Sequence, residues 1–279
     1  MRLVRAVVAS AWMGWQREME WANPLLCFIV KAVAPIAAVL TAAAVYWFGS
    51  SFAGLFTPEH LAYIIVGSSL YAQVGAYTYV PTSAIAEGKW SNLYPQVFIT
   101  PPSSIPYLAG RCLASFADSA PVVAISLAVS YYASYALFGK SPTFIVTLTS
   151  TLMVAAALVA SLPCAVGLGY VLGSYSVFVS RFEWALPSYV SGLLMIFSEA
   201  LFPASVLPYP LPVLAEALPF TYLMRASRAA LIYNSWSLYI SSMTYLTLGG
   251  LVVLAIGIYT FSVAEDSARR KGLLDKKVM

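Results

Sequence analysis

Charge is what this sequence has least of. Only 9% of its 279 residues are Asp, Glu, Lys or Arg, against about a quarter in a soluble domain, so water is not its main solvent. His60 is the one histidine, which excludes paired-histidine metal sites. Cys27, Cys112 and Cys164 show neither metal-ligand nor CxxC spacing, and lie in apolar stretches where small thiols pack. No GxSxG nucleophile elbow is present, and no converging titratable groups point to a membrane enzyme. Gly139-Lys140-Ser141 ends like a Walker A loop, but Ser134 stands where that motif needs glycine. ATP hydrolysis is therefore not expected on this chain. The first twenty residues hold Arg2, Arg5, Arg17, Glu18 and Glu20, so no cleavable signal peptide is expected. Basic residues are scattered at segment ends, without the patch that nucleic-acid binding needs.

What the chain does have is apolar and aromatic. It is 61% hydrophobic and 14% aromatic with a mean hydropathy of +0.80, and no hydrophilic stretch is long enough for a second, soluble domain. These features predict an all-α integral membrane protein, a single transmembrane domain over 1–279. Six apolar segments, 25–48, 61–83, 112–138, 144–171, 184–207 and 238–264, are each long enough to cross about 30 Å of hydrocarbon. Ahead of them, over 2–22, Val4, Val8, Trp12, Trp15 and Met19 recur at helical steps opposite Arg2, Gln16, Arg17 and Glu20, the pattern of a helix lying flat in the headgroup region. Asn23-Pro24 separates that helix from the first span. With the N-terminus inside, twelve of the 15 basic residues are cytoplasmic and only Lys140, Arg225 and Arg228 fall outside. Both termini are then cytoplasmic in a multi-pass protein, with 265–279 as a cytoplasmic tail.

Two connections are unusual. The first, 84–111, is Pro-punctuated and mixes charge with Trp90, Tyr94 and Phe98, as a docking surface does. The second, 202–236, carries Pro203, Pro208, Pro210, Pro212 and Pro219 yet is nearly as apolar as a span. Broken apolar backbone at that depth must pack against protein or line a cavity, so short re-entrant helices dipping into the outer leaflet are expected. Intramembrane charge is sparse. Lys31 is close enough to its helix end to snorkel. Asp118 lies about two turns from Arg111 on one helical face and can pair with it. Glu199 is either functional or an anchor pairing with Arg225 or Arg228, and the anchor is favoured. Gly169 and Gly173 allow close helix packing without naming the partner helix. Tyr63, Tyr71, Tyr77 and Tyr79, with Gln73, either line a substrate path or, the favoured reading, pack between helices.

In order, these features resemble the ABC type-2 permease family, the membrane subunits of type-2 ABC exporters. After the second span that family has Glu, Gly, an apolar pair, Thr-Pro and a basic residue opening span three; Glu87, Gly88, Leu93, Thr100-Pro101 and Arg111 look like those positions. Its outer hairpin reads Pro, Leu-Pro, Pro with an aromatic, then Arg; Pro203, Leu207-Pro208, Pro219, Tyr222 and Arg225 or Arg228 look similar. Lys89-Trp90-Ser91 and Pro95 depart from the family's more acidic, regular coupling helix.

The resemblance covers essentially the whole chain. It implies an export permease in which 84–102 couples to cytoplasmic ABC ATPase subunits through Trp90, Tyr94 and Phe98, unless those aromatics anchor at the membrane interface instead. It also implies pairing with a second permease copy or a paralogue, with ATP and Mg held by the ATPase and no cofactor in this chain. An amphipathic, lipid-like, glycan or drug cargo would move outward. The competing reading is an ATP-independent carrier or channel, but the charged midplane sites and internal repeats usual in carriers are missing.

Overall fold

The computed structural model describes residues 2–20, 23–90, 104–139, 142–179 and 185–271. Among them there is no strand, and helix dominates. The first helix, α1 (Arg2–Met19), stops before Asn23, whose side chain caps the next helix by accepting from the Leu25 N–H at 3.1 Å. Pro24 then takes the first helical position of α2 (Pro24–Ala53), where its missing N–H removes no helical bond. Gly54 closes α2 in the left-handed conformation at φ 66°, the ordinary glycine role at a helix end.

The helices α3 (Pro58–Trp90) and α4 (Ile105–Phe138) follow, then α5 (Leu148–Ala160) and α6 (Leu162–Phe178). After these come α7 (Ala185–Phe197), a short 3-10 turn Ala204–Val206, α8 (Leu211–Ala217), α9 (Pro219–Arg228), a π-type turn Ala229–Tyr233 and α10 (Trp236–Arg270).

Four of these stretches are long and apolar enough to cross a membrane: α2, α4, the α5–α6 pair and α10. Their exposed faces are apolar: Leu25, Ile29 and Val33 on α2, and Leu248, Val252 and Tyr259 on α10, are all more than half exposed or at half. Such faces suit hydrocarbon as solvent.

Two expected spans do not stand among those four. The segment 61–83 does lie in a helix, α3, but that helix is enclosed by its neighbours along much of its length: Leu61, Ile65, Val66, Leu70, Val74 and Ile85 have no exposed surface. A helix sheathed by its neighbours need not be apolar, and α3 carries buried Ser69, Gln73, Thr78 and Thr82. The segment 184–207 yields only the 13 residues of α7 before the backbone turns at Ser198–Ala200.

Helix ends also differ from expectation. Residues 84–90, expected in a loop, continue α3 through Trp90, past Gly88, because Ala84 and Ile85 bury fully. The third apolar helix begins at Ile105, ahead of Arg111. The fourth segment is interrupted at Ser161, where Pro163 supplies no N–H to continue the ladder from α5. Helix α10 runs to Arg270, so 265–270 of the expected tail are helical. Buried Glu265 explains the extension, since its carboxylate accepts from the Ser104 N–H at 3.2 Å and from Arg269 at 2.6 Å.

Glycine sets the closest helix crossings. A Cβ on Gly257 of α10 would lie 2.3 Å from the Gly167 carbonyl oxygen of α6, and one on Gly110 of α4 would lie 2.5 Å from the Val7 carbonyl oxygen of α1. Gly169 and Gly173 do face a neighbour: a Cβ there would meet Pro81 at 2.7 Å and Ile85 at 3.2 Å, so both pack on α3.

Helix α1 lies on α4 through Val7, Ser10, Ala11 and Gly14, with the Ser10 hydroxyl donating to the Tyr107 carbonyl at 2.7 Å. Val4, Val8 and Trp12 stay exposed, as the interfacial pattern requires, but Met19 turns inward and is buried.

Candidate functional site

Helix α3 carries a polar cluster at each end. At about 1.5 Å per residue, the 24 positions from Tyr63 to Glu87 separate the clusters by about 36 Å.

At the Trp90 end the charges are shared between four helices. Glu87 of α3 lies 3.1 Å from the Arg111 guanidinium of α4 and 3.4 Å from that of Arg17 of α1. Lys31 of α2 pairs with Asp118 of α4 at 2.7 Å and with Glu18 of α1 at 2.9 Å. Asp118 is therefore not the partner of Arg111, as their spacing had suggested, and Lys31 turns into the bundle toward two carboxylates. Each cation had a nearer anion on another helix, which spacing along one helix does not reveal. Lys89 donates to the carbonyls of Ser176 at 2.5 Å and Val179 at 3.2 Å, which satisfies the exposed C-terminus of α6.

The candidate coupling residues divide here. Glu87 is half-buried, Gly88 is buried, and Trp90 is the last residue of α3. Leu93, Tyr94, Phe98, Thr100 and Pro101 lie outside the described residues.

At the Pro58 end, Glu199 receives a two-pronged bond from Arg225, Nε to Oε2 at 2.9 Å and Nη2 to Oε1 at 2.6 Å, and also accepts from the Ala204 N–H at 3.0 Å. Glu199 adopts φ 58°, so the chain reverses there and points its carboxylate at both partners. Arg228, 1% exposed, donates to the backbone carbonyls of Glu199 at 2.6 Å and Ala200 at 3.1 Å, and its guanidinium carbon sits 3.3 Å from the Tyr63 ring centre. A guanidinium over an aromatic face is an attractive contact, stronger where water is excluded.

The cluster depends on Gly67, where a Cβ would lie 1.9 Å from the Ala200 carbonyl oxygen and 2.3 Å from Arg228. Of the other hairpin residues, Pro219 is buried against Gly249, and Tyr222 stacks on Tyr245 at 4.9 Å beside Arg225. Pro203 and Pro208 are exposed. The anchor reading of Glu199 matches this geometry, with Arg225 on its side chain and Arg228 on its carbonyl.

The tyrosines of α3 are mostly packing groups. Tyr77 is buried and accepts from Gln73 at 2.6 Å, and Tyr71 donates to the Ser191 carbonyl at 2.6 Å. Tyr79 faces outward and is half exposed. Between α2, α3 and α7 lies an apolar groove of about 540 Å³, lined by Ala38, Thr41, Val45, Tyr46, Ile64 and Met195 among others. No group of three His, Cys, Asp or Glu side chains that could hold a metal occurs among the described residues.

Lys31 with its two carboxylates, and Gly67 with Ala200, went unseen in the sequence. Glu18 and Lys31 belong to different helices, and Gly67 is surrounded by ordinary apolar spacing. Compared with known proteins, the chain matches no family model and no curated protein sequence.

Proposed function

We propose that this chain is the membrane-spanning permease subunit of an ATP-driven exporter resembling the ABC type-2 family. The observation that carries the reading is the form of α3. It is one unbroken helix of 33 residues, clamped to 198–228 at one end and to α1 and α4 at the other, and it leads directly into the aromatic segment 91–103. A rigid rod fixed to two clusters transmits displacement from a docked segment better than a hinged one.

On this reading six crossings are made by α2, α3, α4, α5–α6, α7 with the turn after it, and α10, with both termini cytoplasmic. The pieces over 202–236 form the re-entrant hairpin, and α1 lies at the inner interface. The ATPase subunits bind 84–102 with Glu87, Gly88, Trp90, Leu93, Tyr94, Phe98, Thr100 and Pro101, and hold ATP and Mg. A second permease copy or paralogue completes the pathway. The apolar groove beside α2 suits the hydrocarbon part of an amphipathic cargo.

The test is transport in vesicles that contain the native membrane complex. Trp90→Ala and Phe98→Ala are expected to abolish ATP-driven transport while the protein keeps its thermal stability. Wild-type transport from both variants, or transport that follows an ion gradient and ignores ATP, would overturn the proposal.

A further inference from the structure

Between α1, α3 and α4 lies a cavity of about 70 Å³ lined by Gly14, Glu18, Ala76, Val80, Ala114 and Ser115, with Arg111 and Asp118 on its walls. Arg111 is 3% exposed. Its Nη2 reaches Glu87, but its Nε and Nη1 are buried and have no partner, and the same holds for Oδ1 of Asp118. Two donors and one acceptor therefore belong to residues that wall one small space, and a buried polar group left without a partner is costly. In native proteins such groups are almost always satisfied, by protein or by ordered water.

We infer that this cavity is a hydration site, in which ordered water bridges the Arg111 guanidinium to the Asp118 carboxylate. The space is ample for water, since one molecule needs about 10–15 Å³ of such volume. The ligand class follows from charge. The cavity walls carry both signs, so an added anion would meet Asp118 and Glu18, and an added cation would meet Arg111. A neutral group able both to donate and to accept is what the walls require, and water is the smallest.

The bridge adds a link between two sets of ion pairs, Arg17–Glu87–Arg111 and Glu18–Lys31–Asp118, across four helices. Gly14 keeps the space open, because a Cβ there would lie 2.9 Å from the Ala114 Cβ and 3.3 Å from the Arg111 Cδ. The inference rests on the cavity alone and stands whether or not the chain is a permease.

The test is water-edited solid-state NMR on the full chain, labelled at arginine nitrogen, in a lipid bilayer. An Arg111→Lys variant assigns the Arg111 Nε–H signal by its disappearance. Asp118→Asn, which keeps the size of the side chain, provides a second sample in which the signal persists. The Arg111 Nε–H signal is expected to gain magnetisation from water severalfold faster than the Arg228 Nε–H signal, whose group is also buried but donates to the Tyr63 carbonyl at 3.4 Å. Build-up no faster than that of Arg228, or a direct Arg111–Asp118 contact in distance measurements, would overturn it. A signal that shifts on exchanging chloride for a larger anion would also contradict it, because it would place an ion where walls of both signs require a neutral group.

Discussion

The two ends of α3 solve the same problem, charge inside an apolar bundle, in opposite ways. At the Pro58 end the chain adds backbone to the Glu199–Arg225 pair: Arg228 is 1% exposed and its hydrogen bonds run to main-chain carbonyls, which cannot move without moving the fold. At the Trp90 end it uses side chains on four helices, several of them partly exposed; Arg17 is 47% exposed and Glu87 36%. Side-chain pairs of that kind are individually weak and can be exchanged, whereas a buried arginine that has lost its acceptors cannot be satisfied elsewhere. The comparison teaches which end is anchor and which is adjustable. A lever needs one of each.

The largest expected effect is at Gly67. Gly67→Ala forces a methyl to within 1.9 Å of the Ala200 oxygen, so the 198–228 cluster must separate from α3. Overpacking typically costs about 1–3 kcal/mol, and a clash with fixed backbone belongs at or beyond the top of that range, so the melting temperature in detergent should fall by many degrees or folded protein should not be recovered. Wild-type stability would remove the anchor from the comparison.

Next is Glu199→Gln, which keeps an acceptor for the Ala204 N–H but takes the charge from Arg225. A loss of about 1–3 kcal/mol is expected, read as a lower melting temperature that raised salt does not restore, since the Glu199 side chain is only 6% exposed.

Smallest is Arg17→Ala at the other end, expected to change stability by less than about 0.5 kcal/mol because both partners are partly exposed and Arg111 still holds Glu87. If Arg17→Ala proves as damaging as Glu199→Gln, the two ends are not different in kind.

How much of this was legible in the sequence depends on which physical signal carried it. The apolar segments announced themselves by length and composition, and four of them form helices able to cross a membrane. The proline-rich stretch 202–236 announced its broken helices, because proline forbids continuation locally. An anchor between Glu199 and Arg225 or Arg228 was legible because intramembrane charge is so scarce that few partners were available; that Arg225 takes the carboxylate was not. What was not legible depends on contacts between segments far apart in sequence. Asp118 had Arg111 nearby on its own helix, yet it binds Lys31, 87 residues away. The extent of α3 was understated because its later turns, beyond Thr82, are kept helical by burial of Ala84 and Ile85 and not by an apolar run. Segment 184–207 was overstated for the converse reason: its apolar run continues, but the backbone reverses at Glu199 to place one carboxylate. Gly67 gave no sign at all.

We propose that the Trp90 end of α3 is the adjustable end because an ATPase acts on it. The most direct measurement is a pull-down of the chain from its native membrane in mild detergent, followed by identification of stoichiometric partners. The account predicts a soluble ATPase with Walker motifs that is lost when 84–102 is altered and retained when Glu199 is changed to Gln. A chain recovered alone, with no nucleotide-dependent partner, would contradict it.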